Sequence, residues 1–336
     1  MNQVALPLPL PHPAPVVADR AGFDIGWDHA HLGLVPAAGL LQQGGAVCQG
    51  WMAGKAVFGR RVPASSRATR QWLQLRLRAW QEAATLDADE VTPEVVARLQ
   101  ATHCPVLRLP LGGAANQPDA AVIEPLAPAA AWAAGRLATL SRRAAKAWDG
   151  LDVDALWRRA RAAQLGCTEV DGLDAGAWWR LTALRAFATP LHFATATRLP
   201  LALLPPPGVE LCNPVQRLQL RVTSLFLKPG WAARCRGLAE RLPEQALRHD
   251  FLFFVGALTP RVLEAGSDPH TLGQALEDAW LLERVQRRWQ HFVLSLGEVR
   301  CAALLQEMAD QGRAATPAPL RRPAALRISQ PELLAA

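Results

Sequence analysis

The chain has 336 residues, of which 50% are apolar and 19% are charged. This length and composition are sufficient to bury one large core or two modest ones, which excludes a disordered chain and a disulfide-stapled miniprotein. Lys and Arg outnumber Asp and Glu by 36 to 29, and the isoelectric point near 9.7 is compatible with a polyanionic partner.

The first 20 residues form a proline-rich segment, with proline at every second position from Pro7 to Pro15. This spacing prevents both helical and ladder hydrogen bonding, so we expect an extended arm over residues 1–20. Residues 21–150 are expected to form a mixed α/β region. Within that region, Phe23–Phe58 has a glycine every few residues, which predicts short strands and turns in place of long helices.

The first clear amphipathic helix is predicted from Ser65 or Ser66 to about Ala84. Residues 29–81 contain seven basic residues and no acidic one. Opposite an apolar stripe of Trp72, Leu73, Leu77 and Trp80, this helix carries a basic face. The candidate phosphate contacts in and just before it are Arg60, Arg61, Arg67, Arg70 and Arg78. The alternative is that this basic face is simply solvated.

Short elements follow up to residue 148. A helix is predicted from a Thr92 cap to Gln100, because Pro93 and Glu94 suit a first helical turn. Proline and glycine interrupt His103–Leu126, and we expect two short strands there around a loop at residues 111–118. The pattern from Gly135 to Trp148 predicts a helix.

Residues 151–312 are predicted to form a helical domain. Asn213-Pro214-Val215-Gln216 predicts a helix start with a capping box, and Leu203–Gly208, with three consecutive prolines, predicts a rigid loop. A second start at Asp268-Pro269 leads into an amphipathic stretch, Leu272–Val299, which we expect to break near Gly297. Tryptophans 178, 179 and 231 are expected in the core, and residues 313–336 in a flexible tail.

The six cysteines lie far apart, at positions Cys48, Cys104, Cys167, Cys212, Cys235 and Cys301. They form no Cys-x-x-Cys pair, which argues against a zinc ribbon or a redox dithiol. No apolar run approaches the ~20 residues that span a bilayer, and the N-terminus has no secretory-signal pattern. We therefore expect a reducing compartment, the cytoplasm, and no membrane contact.

One window carries the pattern of a known family. Residues 104–106 read Cys-Pro-Val, residues 122–126 read Val-Ile-Glu-Pro-Leu, and residues 141–145 read Ser-Arg-Arg-Ala-Ala. With Gly135 placed on the glycine of a Gly-Asn pair, this window resembles the phage-type branch of the HNH (ββα-metal) nucleases, over residues 103–148 only. The resemblance implies two strands and a helix, a DNA or RNA partner, and a bacterial mobile-element or phage-related origin.

The window departs from the family at its chemical positions. In the family, an Asp and a helix Asn help to hold a divalent metal, and a His or Arg stands beside the Asp. The corresponding degenerate positions here are Cys104, Glu124, Pro125, Gly135, Arg136, Ser141 and Ala145. Because proline offers no base and alanine offers no ligand, the comparison implies a pseudo-nuclease with no catalytic residues, metal or cofactor.

Two other features suggest binding. Arg142 and Arg143 fall on the helix that lies against the nucleic-acid backbone in active HNH relatives, so they join the candidate phosphate contacts. His29 and His31, if they lay on a strand, would point the same way and could share a metal. Cys104 beside His103 makes no dyad, and Ser141 has no base nearby in the sequence.

The sequence thus predicts a mainly α-helical protein with a small α+β element that resembles a degenerate ββα-metal unit. The leading hypothesis is a non-catalytic nucleic-acid-binding protein. The alternatives are a helical interaction or scaffold protein, which would bind a protein partner through its C-terminal helices, and an active metal-dependent nuclease. A chance match of an alanine-rich helix is the alternative to common ancestry with the HNH family.

Overall fold

The computed structural model describes residues 19–59, 65–114, 116–127, 131–166, 169–266 and 268–314. The predicted arm and tail lie outside these ranges, apart from residues 19–20 and 313–314. The described residues form a mainly α-helical protein with one small two-stranded sheet, which confirms the predicted fold class. None of the described helices is long and apolar enough to cross a membrane.

The elements before residue 150 are α1 (Arg20–His31), α2 (Ala46–Phe58), α3 (Arg67–Gln81), α4 (Pro93–Arg98), β1 (Ala121–Pro125), β2 (Leu137–Ser141) and α5 (Arg142–Trp148). Those after it are α6 (Val153–Gly166), α7 (Ala175–Ala188), α8 (Phe193–Ala196), α9 (Pro214–Phe226), α10 (Trp231–Arg241), α11 (Gln245–Ala265), α12 (Pro269–Trp280), α13 (Glu283–Leu296) and α14 (Glu298–Ala314). The small sheet therefore lies between two helical segments of the chain.

The glycine-rich segment Phe23–Phe58 forms most of α1 and α2, so the prediction of short strands and turns is wrong. Its glycines allow the two helices to pack with their backbones in contact. A Cβ added at Gly26 would lie 2.0 Å from the carbonyl oxygen of Val47, and one added at Gly50 would lie 1.9 Å from that of Phe23. The glycines here permit a close approach of two backbones.

The histidine pair lies on α1 and not on a strand. Residues two apart on a helix are separated by about 200° around its axis, so His29 and His31 do not share a face. His29 is buried, and its Nδ1 atom bonds to the carbonyl oxygen of Ile25 at 2.8 Å. The described residues contain no group of three or more His, Cys, Asp or Glu that could hold a metal ion.

Helices α3 and α4 begin where the sequence predicts. The Ser66 hydroxyl accepts a hydrogen bond from the Thr69 N–H at 3.0 Å, and the Thr92 hydroxyl accepts one from the Val95 N–H at 3.4 Å. Each bond satisfies an N–H group that has no partner within its helix. α3 buries Leu73, Leu75 and Ala79.

Strands β1 and β2 pair antiparallel, with Glu124 opposite Ala138. α5 follows β2 directly, and the Ser141 hydroxyl caps it by accepting from the Ala144 N–H at 3.3 Å. The prediction of a helix throughout Gly135–Trp148 is therefore wrong for β2. All five residues of β2 are buried, so the strand lacks the alternation of polar and apolar residues that reveals a half-buried strand.

Cys104 lies before β1 in a tight loop and not on a regular strand. His103 and Pro110 form an isolated bridge, and the Cys104 N–H donates to the Leu109 carbonyl at 2.8 Å. Of the two strands predicted around residues 111–118, the described residues therefore form only β1. Cys104 is fully buried, and the Ser141 hydroxyl donates to its Sγ atom at 3.3 Å.

One hydrophobic core joins residues 103–148, which we call the sheet unit, to the C-terminal helices. It contains Leu140 and Trp148 from before residue 150 and Trp178, Trp179 and Trp280 from after it. α7 runs through this core, and every residue of it after the first two is buried. The predicted domain boundary at residue 150 therefore lies within a continuous core, and the prediction that Trp178 and Trp179 are core residues is confirmed.

The C-terminal helices begin where predicted, but two details differ. α9 starts after Asn213, yet the Asn213 side chain accepts from the Leu191 N–H at 2.8 Å and donates to the Ala186 carbonyl, so the predicted capping box is wrong. The Leu272–Val299 stretch breaks at Gly297 as predicted, and it breaks a second time between α12 and α13.

Candidate functional site

A cleft of about 1060 Å³ lies between the end of α3 and the sheet unit. We call it the α3/α5 cleft. Its lining residues are Arg78, Glu82, Ala83, Ala84, Thr85, Val122, Glu124, Pro125, Ala131, Trp132, Arg142, Ala145, Lys146, Trp148, Asp149, Gly150 and Arg185. Four of these residues are basic and three are acidic, so the cleft is suited to a charged or polar ligand.

A polar stripe on α3 connects this cleft to a second one. Its residues are spaced three or four positions apart and therefore share one helix face: residues 67, 71, 74, 78 and 82. Arg78 and Glu82 line the α3/α5 cleft, whereas Arg67 lines a neighbouring cavity of about 660 Å³ that also borders Ala121, the first residue of β1. The two cavities therefore lie along the same face of α3.

Arg78, which the sequence predicts as a phosphate contact, forms an internal ion pair. Its two terminal nitrogens bond to the two carboxylate oxygens of Glu124 at 2.8 and 2.9 Å, and its Nε bonds to Glu82 at 2.8 Å. Burial alone would lower the pKa of Arg78, but the hydrogen bonds and charges of Glu124 and Glu82 raise it above its ordinary value. This pairing removes Arg78 from the side chains available to a phosphate.

The same pairing determines what Glu124 can do. Both of its oxygens face a guanidinium, and its side chain is 13% exposed. Beside it, Pro125 is buried at the end of β1, and Ala145 faces the cleft from α5. These three degenerate positions thus converge on the cleft, and their side chains provide one carboxylate, already paired, with no base beside it.

The remaining degenerate positions lie outside the lining of the cleft. The Gly135 carbonyl accepts from the Glu210 N–H at 2.9 Å, and the Glu210 side chain packs against the space where a Cβ would stand. Arg136 is exposed. Cys104 and Ser141 contact each other in the core, where their hydrogen bond and the capping of α5 give both a structural role.

The predicted basic residues other than Arg78 fall into three pairs. Arg67 and Arg70 are exposed on α3, and their side chains make no hydrogen bond or ion pair within the described ranges. Arg142 lines the cleft, whereas Arg143 donates to the Gly172 carbonyl on another side of α5. Arg60 and Arg61 lie outside the described residues.

Two cleft residues were not singled out by the sequence. Lys146, one turn after Arg142 on α5, is exposed and forms no ion pair in the described part of the chain. Arg185 reaches the cleft from α7 and is 4% exposed. A charged residue in the apolar run from Leu181 to Ala188 was the one available signal for Arg185, since such residues are rarely buried without a partner.

No protein-family model, curated protein or solved structure matches this chain. The class of protein that the fold defines is a mainly α-helical protein with an embedded two-stranded sheet.

Proposed function

We propose that this chain is a non-catalytic nucleic-acid-binding protein whose α3/α5 cleft and adjoining α3 face receive a phosphate backbone. The observation that best supports this proposal is the set of cations at the two adjoining cavities along α3. Arg67 lines the second cavity, Arg70 is exposed on the same helix, and Arg142 and Lys146 line the α3/α5 cleft from α5. Cations placed in this way can neutralise phosphates of one strand and release their counterions.

The proposal includes an origin from an HNH-like nuclease element that has lost its chemistry. β1, β2 and α5 follow one another in the strand, strand, helix order that the resemblance implies. Glu124 is held by Arg78, and Pro125 and Ala145 supply neither a base nor a ligand. A single paired carboxylate cannot orient a divalent metal for hydrolysis, because such sites combine several oxygen ligands.

The scaffold alternative has less support. It requires an exposed apolar strip along Leu272–Val299, but that strip packs into the protein's own core. Leu276 and Val293 are fully buried, and the exposed large apolar residues of the stretch are Leu294 and Val299. Two separate side chains do not form the contiguous patch that marks a protein interface.

A salt titration tests the binding proposal. We expect duplex DNA or single-stranded RNA to bind at low salt, with log Kd rising linearly with log salt. Substituting Arg67→Gln, Arg70→Gln or Lys146→Gln should each reduce the slope by about 0.7–0.9. Lys228→Gln, an exposed lysine outside the cleft, is the matched control and should leave the slope unchanged. Absence of binding at low salt, or binding insensitive to salt, would overturn the proposal.

A plasmid-nicking assay tests the non-catalytic assignment. We expect supercoiled plasmid to remain intact with Mg²⁺ or Mn²⁺, because Glu124 cannot hold a metal while it is paired with Arg78. Metal-dependent nicking that disappears in Glu124→Ala would instead identify an active nuclease. Nicking that persists in Glu124→Ala would also overturn the non-catalytic assignment, but without a role for the degenerate HNH-like carboxylate, since Glu82 and Asp149 also line the cleft.

A further inference from the structure

A buried guanidinium lies at the inner end of the α3/α5 cleft. Arg185 projects from α7, and its terminal nitrogens donate to the Leu126 carbonyl at 3.0 Å and to the Trp148 carbonyl at 3.2 Å. Its Cζ atom stands 4.1 Å from the centre of the Trp148 ring. Two carbonyls and an aromatic ring thus fix the guanidinium in place without supplying a negative charge.

The charge of Arg185 has no bonded counter-ion among the described residues. A guanidinium has five N–H groups, and its Nε here has no hydrogen-bond partner in the described part of the structure. Glu124 is the carboxylate that attracts Arg185 most strongly, but both of its oxygens bond to Arg78. A buried cation without a partner is unfavourable, so this arrangement favours occupation by an anion.

Burial lowers the pKa of Arg185 to about 10, and the nearby carboxylates offset this effect only in part. Arg185 therefore remains cationic near neutral pH, where it would attract an anion. Lys146 adds a second, exposed cation to the same cleft. A fixed, planar guanidinium and an exposed ammonium in the same cleft suit a phosphate group, which accepts several charge-assisted hydrogen bonds.

We propose that the inner end of the α3/α5 cleft is a phosphate-binding subsite, in which Arg185 bonds the phosphate oxygens and Lys146 neutralises the remaining charge. The inference deepens the proposed nucleic-acid function, since it assigns one phosphate of the partner to one position. That phosphate could be internal to a strand or could be a terminal monoester. Both present the same acceptor oxygens.

Inorganic phosphate is the first probe. Thermal unfolding with phosphate, compared with sodium chloride at equal ionic strength, should show a higher Tm in phosphate, because a ligand of the folded state stabilises it. In calorimetric titration, Lys146→Met should weaken phosphate binding about tenfold. Lys228→Met should bind as the wild type does. Equal Tm values in the two salts, or unchanged affinity in Lys146→Met, would overturn the subsite.

Arg185→Lys tests the buried cation directly, because lysine keeps the charge but loses the planar fork. We expect phosphate binding to be lost while circular dichroism shows a folded protein. If this variant does not fold, Lys146→Met still decides the outcome, since its side chain is exposed. Full phosphate affinity in a folded Arg185→Lys protein would contradict the proposal.

Oligonucleotides with a 5′-phosphate or a 5′-hydroxyl distinguish the source of the phosphate and separate the two proposals. A preference of about tenfold for the 5′-phosphate would identify a terminal group, and equal affinities that fall in Lys146→Met would identify an internal one. Binding of phosphate without binding of any oligonucleotide would support the subsite and overturn the nucleic-acid function. Oligonucleotide binding that weakens in Arg67→Gln but not in Lys146→Met, without phosphate binding, would overturn the subsite and support nucleic-acid binding through α3 alone.

Discussion

The Arg78–Glu124 pair joins α3 to β1 and closes one wall of the cleft. Its geometry is bidentate, with the carboxylate 13% exposed and the guanidinium 37% exposed. A planar fork that meets both oxygens is stronger than a typical surface ion pair, although partial exposure screens it. The pair therefore contributes to the stability of the contact between α3 and the two-stranded sheet.

Removing both partners of this pair should cost less than the sum of the two single losses. We expect Glu124→Gln or Arg78→Met alone to lower the free energy of unfolding by about 1–2 kcal/mol, because each leaves a partly buried partner unsatisfied. The double variant should lose less than the sum of the two. Urea denaturation of all four proteins measures the coupling energy. Additive losses would show that the two residues do not interact in solution.

At the scale of single residues, the sequence predicted part of the cleft but did not predict Arg185, the buried cation at its inner end. The resemblance window led to Glu124, Pro125 and Ala145, and all three line the cleft. The pairing of Glu124 could not be predicted, because Arg78 lies 46 residues away in the chain. Arg185 contacts the cleft from a helix in another part of the chain, and only a tertiary structure can bring it there.

At the scale of elements, the α1–α2 pair depends on its glycines. The added Cβ distances at Gly26 and Gly50 are far shorter than any real contact, and both involve backbone carbonyls that cannot move aside. Gly256, in α11, is exposed, and apart from its chain neighbours and the backbone of its own helix no atom of the described residues lies within 4 Å of an added Cβ. It is a matched control for substitution of a helical glycine.

We expect Gly26→Ala and Gly50→Ala each to lower the free energy of unfolding by about 1–3 kcal/mol, because the helices must separate to admit the methyl group. Gly256→Ala should raise it by about 0.5–1 kcal/mol, since alanine is the better helix former. Denaturant titration of the three variants provides the comparison. A stabilised Gly26→Ala or Gly50→Ala protein would show that α1 and α2 do not pack in this way.

Local signals and tertiary packing explain which elements the sequence could predict. Ser66, Thr92 and Asp268 mark helix starts through bonds to N–H groups three residues on, so their effect is visible in the sequence. In the sequence, the glycines of α1 and α2 resemble turn residues, because the backbone against which each of them packs belongs to the other helix. Strand β2, buried throughout, likewise carries no strand periodicity.

At the scale of the whole molecule, arginine side chains connect the sheet unit to the C-terminal helices through hydrogen bonds and ion pairs. Arg180 donates its Nε–H to the Val106 carbonyl at 2.5 Å, and Arg185 bonds to the Leu126 carbonyl. In the opposite direction, Arg108 reaches α12, where it bonds to Glu277 at 2.9 Å and to Asp278 at 2.8 Å. Together with the continuous core, these bonds make the unit part of a larger body, so its stability depends on contacts outside residues 103–148.

The ion pair between Arg108 and Glu277 should make the stability of this connection depend on pH. Glu277 is 7% exposed, and one of its oxygens accepts from the Leu204 N–H at 2.7 Å. Burial raises the pKa of Glu277 above its ordinary value, and the Leu204 bond and the charge of Arg108 oppose this rise. For a carboxyl group whose folded pKa is raised, the stabilising contribution is present in acid and is lost as the pH rises through that pKa. Removing Arg108 should raise the pKa further.

Arg108→Ala should therefore lower the free energy of unfolding by about 2–3 kcal/mol near neutral pH, where Glu277 would be charged and buried without its cation. The loss should shrink as the pH falls below about 4, where the carboxyl becomes protonated in both the folded and unfolded states. Arg108 has a φ of 58°, in the left-handed region. Arg108→Gly should thus lose about 1 kcal/mol less than Arg108→Ala at every pH, because glycine adopts that conformation without strain. Urea denaturation across this pH range checks both expectations, and a loss independent of pH would show that Glu277 does not depend on Arg108.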